Sequence, residues 1–169
     1  NTVNVGTMTA SGVFTTQTND TIQLGNSANI SSVDSGGAGA GTEIIANNLT
    51  VASGGAVSMT PTQNNSFTGH VSVGGSNSFT MTAVGAVIAL LNVETYVLAA
   101  GTSTITLAQS NQNVTGNGTG GSGAITINTG TLTSVSGVVT NAGNDTVTLE
   151  LVHTTGVDIS TVGMTAVDN

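Results

Sequence analysis

The feature that most constrains this chain is a period-two alternation, cut into short pieces by glycine and asparagine. It recurs in "TVNVGTMT" (2–9), "DTIQL" (20–24), "NLTV" (48–51), "AVSMT" (56–60), "HVSV" (70–73) and "SFTMT" (78–82). It continues in "STITL" (103–107), "AITI" (124–127), "TLTSVSGVV" (131–139), "DTVTLELV" (145–152) and "VDISTV" (157–162). Val, Ile, Leu or Met alternates with Thr or Ser, which places apolar side chains on one face of an extended strand and hydroxyls on the other. Between these segments, "DSGGAGAG" (34–41), "SGG" (53–55), "VGGSN" (73–77) and "GNGTGGSG" (116–123) supply turns.

Helix formers gather only in "AVGAVIALLNVETYVLAA" (83–100), and its Val, Ile and Thr weaken a helical reading. Asn92 and Glu94 break that run, so it is too polar at its centre to span a bilayer. It reads as a buried strand pair or a short core helix. The expectation is a single all-β domain over residues 1–169.

Aromatic content separates the architectures. Phe14, Phe67, Phe79 and Tyr96 are the full set, few for the wide gap between the sheets of a sandwich. Stacked Val, Ile, Leu and Ala fill a narrow coil well. A β-solenoid or β-roll is therefore expected, with a jelly-roll-like β-sandwich as the close alternative. Strand starts are spaced unevenly, and no clean solenoid repeat is visible.

The chain has no Lys and no Arg against eight acidic residues. Each carboxylate must face water, accept backbone N–H groups, bind a metal cation or meet another chain. Nucleic acid is excluded as a partner, because phosphate neutralisation needs basic side chains. An anionic membrane surface is disfavoured for the same reason. There is no Cys, which removes disulfides, thiolate catalysis and Cys-ligated zinc. A chain without Lys or Arg also offers trypsin-like proteases no cleavage point, an asset outside the cell. Residue 1 opens directly into polar alternation with no basic leader, which reads as a mature or excised form.

"NAGNDTVTL" (141–149) poses the sharpest site question. In the repeat G-G-x-G-x-D-x-U-x, glycine carbonyls and the Asp carboxylate of successive turns cage calcium. Gly143, Asp145 and Val147 fall on the Gly, Asp and apolar places, with Asn144 between the first two. "TNDTIQL" (18–24) repeats the pattern less fully through Asp20 and Ile22. Calcium is the expected cofactor, with Gly143, Asn144, Asp145 and Asp20 as candidate ligands; the competing reading is an ordinary Asn-Asp turn.

"LLNVETYVL" (90–98), "NQNVTGNGTGG" (111–121), "AGNDTVTL" (142–149) and "GVDISTVGMTAVDN" (156–169) together resemble the flanks of RTX-type and S-layer-like secreted bacterial β-proteins. The resemblance implies an extracellular, calcium-stabilised structural or adhesive role.

Catalytic vocabulary is sparse, and no enzyme is expected. The "DSG" at 34–36 has no second Asp-Ser/Thr-Gly to share a proton with, and it lies in a Gly/Ala loop. His70 and His153 stand 83 positions apart, and no G-x-S-x-G occurs. Asn-x-Ser/Thr triplets at Asn19, Asn29, Asn48, Asn64, Asn113, Asn117 and Asn144 are candidate glycan acceptors or plain corners.

Monomeric β-proteins guard their sheet edges with Lys, Pro and inward charges. Here there is one proline, Pro61, and no lysine. The expected partners are therefore other copies of the chain, joined by strand addition, with residues 1–14 as a donor strand. The expected function is an extracellular, cell-surface subunit of a filament, sheath or surface layer. The alternative is a calcium-dependent adhesin segment of a larger secreted protein.

Overall fold

The computed structural model describes residues 1–8, 12–13, 16–34, 46–52, 54–117, 123–140, 146–152 and 156–165. In chain order its first elements are β1 (Thr2–Gly6), β2 (Gly12–Val13), β3 (Thr21–Leu24), β4 (Val33–Asp34), β5 (Asn48–Val51), β6 (Ala56–Met59), helix α1 (Pro61–Ser66) and β7 (Val71–Val73). There follow β8 (Ser78–Met81), β9 (Ala86–Ile88), β10 (Thr95–Ala99), β11 (Ser103–Thr106) and β12 (Asn113–Asn117). The last are β13 (Ala124–Asn128), β14 (Val138–Thr140), β15 (Thr146–Glu150) and β16 (Gly163–Thr165).

Every named strand pairing is parallel, and strands alternate among sheets as the chain advances. Sheet 1 runs β1-β3-β5-β7, sheet 2 runs β6-β8-β10-β12-β14-β16, and sheet 3 runs β9-β11-β13-β15; β2 and β4 form a small pair. This is a β-solenoid, the favoured expectation, and not a sandwich.

Register stacks like on like. Val57, Phe79, Tyr96, Val114, Val139 and Met164 form one inward column along sheet 2. Val87, Ile105, Ile127 and Leu149 form another along sheet 3. Phe79 and Tyr96 meet edge-on, with ring centroids 5.9 Å apart. Most of these residues are fully buried, each contributing about 1.5–3 kcal/mol.

Rung length varies, which hid the repeat. Ser78 pairs with Thr95, 17 residues on, while Thr21 pairs with Asn48, 27 residues on. Across the longer span β3 and β5 still pair residue for residue, from Thr21 with Asn48 to Leu24 with Val51.

Residues 83–100 resolve as strands β9 and β10 joined by a turn with Asn92 at φ 66°, the strand-pair reading of that run. The helix α1 lies elsewhere, and composition did not anticipate it. Its start was nevertheless written locally: Thr60 and Gln63 form a capping box around Pro61 in the first turn. Thr2–Gly6, within the expected donor segment, pairs with β3 of its own chain.

Candidate functional site

The strongest calcium candidates, Gly143, Asn144 and Asp145, lie outside the described residues, immediately before β15. Asp20 is buried, and its carboxylate accepts from the Gln17 N–H (2.9 Å) and the amino group of Asn1 (3.0 Å). These donors, the Gln17 amide first, hold its pKa below the ordinary carboxylate value. No three His, Cys, Asp or Glu side chains come together among the described residues.

A lowered folded-state pKa means that the Asp20 contribution to stability is present above the ordinary carboxylate value and is lost as pH falls through the lowered one. Thermal melts from neutral pH to acid should therefore show the wild type losing stability at the acid end. Asp20→Asn should start lower and fall less steeply over that window. Parallel curves would show that Asp20 is not held in this way.

The sequence's candidate glycan acceptors separate by environment. Asn19 is exposed in a turn, whereas Asn64 is fully buried. The Asn64 amide donates to the Ile88 carbonyl (2.8 Å) and its oxygen accepts from the Tyr96 hydroxyl (3.3 Å), so Asn64 is excluded as an acceptor. Burial pushes the Tyr96 phenol pKa up; the hydroxyl also accepts from the Leu90 N–H (2.8 Å). Asn144 lies outside the described residues.

The expectation of self-assembly turns on the strand edges. Two edges of the three large sheets are covered from within. The outer edge of β6 is met by residues 28–30, with Ile30 N–H donating to the Ser58 carbonyl (2.9 Å) and Ser58 N–H to the Ala28 carbonyl (2.8 Å). The outer edge of β9 is met by α1. There the Asn65 side-chain amide donates to the Ala86 carbonyl (2.9 Å) and accepts from the Ile88 N–H (2.8 Å), reproducing a strand's pairing with one side chain.

The other four edges, on β1, β7, β15 and β16, have no neighbouring strand among the described residues. At β7, the His70 N–H donates to Asn48 Oδ1 (2.8 Å) and its carbonyl accepts from Leu49 N–H (2.9 Å). Parallel ladders use alternate residues, so Val71 and Val73 turn their main-chain groups outward. Val71 lines a groove of about 490 Å³ whose wall also includes Phe67, Ile88 and Leu91. At the other end, β15 and β16 leave Leu149 half-buried and Met164 55% exposed. Among the described residues, five of the eight exposed large hydrophobics, Val138, Leu151, Val152, Ile159 and Met164, fall in these last rungs.

Comparison with protein-family models, with curated proteins and with solved structures gave no match.

Proposed function

We propose that this chain is an extracellular structural subunit that associates with its own copies through open parallel strand edges, building a filament, sheath or surface layer. The observation that carries the reading is the contrast between edges. Among the described residues, the chain itself covers the β6 and β9 edges, while no strand neighbours β1, β15 and β16 at the two ends of the coil, or β7 between them. No Lys stands guard on any of them. A second copy stacked end to end would continue the parallel sheets and cover the apolar column that ends at Met164.

The S-layer-like resemblance supports an extracellular setting, and the absence of Lys and Arg supports durability there. Calcium belongs to the same reading through Gly143, Asn144 and Asp145, which immediately precede β15 in the sequence. The donor-strand mode for residues 1–14 requires β1 to leave its seat on β3; end-to-end stacking does not.

Sedimentation and negative-stain imaging test the proposal. The wild type should form rods or sheets, and EDTA should weaken them. A Thr2→Pro/Met164→Lys variant removes an outward N–H at one end and adds a charge at the other, so it should remain monomeric and folded. A wild type that is monomeric at all concentrations, with and without calcium, would overturn the reading.

A further inference from the structure

Sheet 3 presents a lattice on its outer face. Register aligns Ala86, Thr104, Thr126 and Thr148 in one row across the strands, and Ile88, Thr106, Asn128 and Glu150 in the next. Ala124 and Thr146 add part of a third. Backbone geometry sets the repeats at about 4.8 Å between strands and about 6.7 Å between alternate residues along a strand.

The threonines of this lattice are exposed or half-exposed. Among the described residues, no protein group hydrogen-bonds the hydroxyls of Thr104, Thr106, Thr126, Thr146 or Thr148. Sheet 1 differs, because Asn4 accepts from the Gly6 N–H and Asn48 donates to the Asp20 carbonyl. Branching at Cβ restricts χ1, so each Thr methyl and hydroxyl is positioned by its strand. The lattice has one charge, Glu150, on the edge strand, where its carboxylate accepts from the Asn128 amide at 3.4 Å.

We propose that this face binds ice. A two-dimensional array with fixed repeats complements a ligand that is itself periodic, whereas a small soluble molecule would meet only one or two of its positions. Ionic solids call for charged side chains, which the face almost lacks. Ice is uncharged, and its surface oxygens recur at spacings close to both repeats of the threonine array. Each hydroxyl can donate to or accept from such an oxygen, while the methyls and Ile88 make the face apolar enough to shed disordered water.

A crystalline polysaccharide is also periodic and uncharged, but its sugar rings are gripped by exposed aromatic faces. Phe67, Phe79 and Tyr96 are all buried in the core, and Phe14 lies outside the described residues.

The test measures ice recrystallisation and thermal hysteresis with purified protein. Wild type should slow recrystallisation. Thr126→Lys, at the centre of the lattice on an inner strand, should need about ten-fold more protein for the same effect, since central positions dominate a binding face. Gln23→Lys, on the exposed face of sheet 1, should match the wild type, and circular dichroism should show all three folded. A wild type without effect on ice, or a Thr126→Lys protein as active as the wild type, overturns the proposal. Retention on microcrystalline cellulose or chitin that Thr126→Lys abolishes would overturn it in favour of a polysaccharide. Assembly is read separately: Thr126→Lys leaves the open edges intact, and Thr2→Pro/Met164→Lys leaves the lattice intact.

Discussion

Gly137→Ala should be among the most damaging single substitutions in this molecule, costing about 3–5 kcal/mol. Gly137 is buried just before β14, and a Cβ there would overlap the main-chain carbonyl of Gln112 in the rung beneath. The obstacle is backbone, so no side-chain rotation relieves it and one rung must lift from the other. That lift would also strain the neighbouring bonds from Ser136 N–H to the Ser110 carbonyl (2.7 Å) and from Val138 N–H to Asn113 Oδ1 (2.9 Å).

Gly163→Ala is the control. It lies in β16, and the three atoms nearest its added methyl all belong to the Val138 side chain, the closest at 3.3 Å. Thermal melts should place Gly163→Ala within about 1 kcal/mol of the wild type and Gly137→Ala well below both. Equal melting temperatures for Gly137→Ala and the wild type would show that the rungs do not approach so closely.

Gln112→Leu should cost a comparable amount for a different reason. The Gln112 side chain is buried, and its amide donates to the Leu90 (2.9 Å) and Val93 (3.0 Å) carbonyls of the preceding corner. Its oxygen accepts from the N–H groups of Ala108 (2.8 Å) and Gln109 (3.2 Å). Leucine has nearly the same size and satisfies none of the four. Each buried group left without a partner costs about 1–3 kcal/mol. Partial relaxation makes the sum smaller than four such losses, and about 3–5 kcal/mol is expected.

For a chain of this size that corresponds to a melting temperature lower by roughly 10–15 °C. Gln112→Glu distinguishes amide bonding from packing: it keeps the shape, loses the two donations and buries a charge, so it should be at least as harmful at neutral pH. A Gln112→Leu protein as stable as the wild type would show that the corner is held by packing alone.

Gln63 shows the same device one stage earlier. It is buried, and its amide donates to the Ile30 (2.7 Å) and Val33 (3.3 Å) carbonyls. "ISSV" (30–33) and "LLNV" (90–93) are thus corners of one kind, each clamped by a glutamine from a later rung. Their kinship is invisible in the sequence, because the clamp follows at 30 residues from Val33 but at 19 from Val93.

That difference explains how much of the molecule could be read beforehand. Strands with strict alternation and a turn on each side were legible: "NLTV" matches β5 residue for residue, and "AVSMT" and "SFTMT" overrun β6 and β8 by one. The period-two signal is local, and so was the evidence for it. "TLTSVSGVV" promised a strand across 131–139, yet pairing as a strand begins only at Val138. Gly137 is pressed against Gln112 there, a contact of the rung below that no local pattern announces. β16 likewise lies at Gly163–Thr165, beyond the alternating "VDISTV".

The solenoid was inferred from aromatic scarcity, since the unequal spacing of paired strands erases the repeat. Unguarded borders were legible as a composition, but which of them the chain covers for itself was not. Asn65 fills the place of a strand from a helix, and nothing in "PTQNNS" names β9 as its partner. The calcium candidates at 143–145 fall outside the described residues and are placed only by sequence, just before β15.

The substitution of one asparagine for a strand has a mechanical meaning. On the sheet 3 side, the join between the early and late coils rests on side-chain amides from a single helical turn, where other joins on that side are continuous main-chain seams. Tension along the coil axis would concentrate at this splice, giving the coil a built-in fuse between its early and late turns.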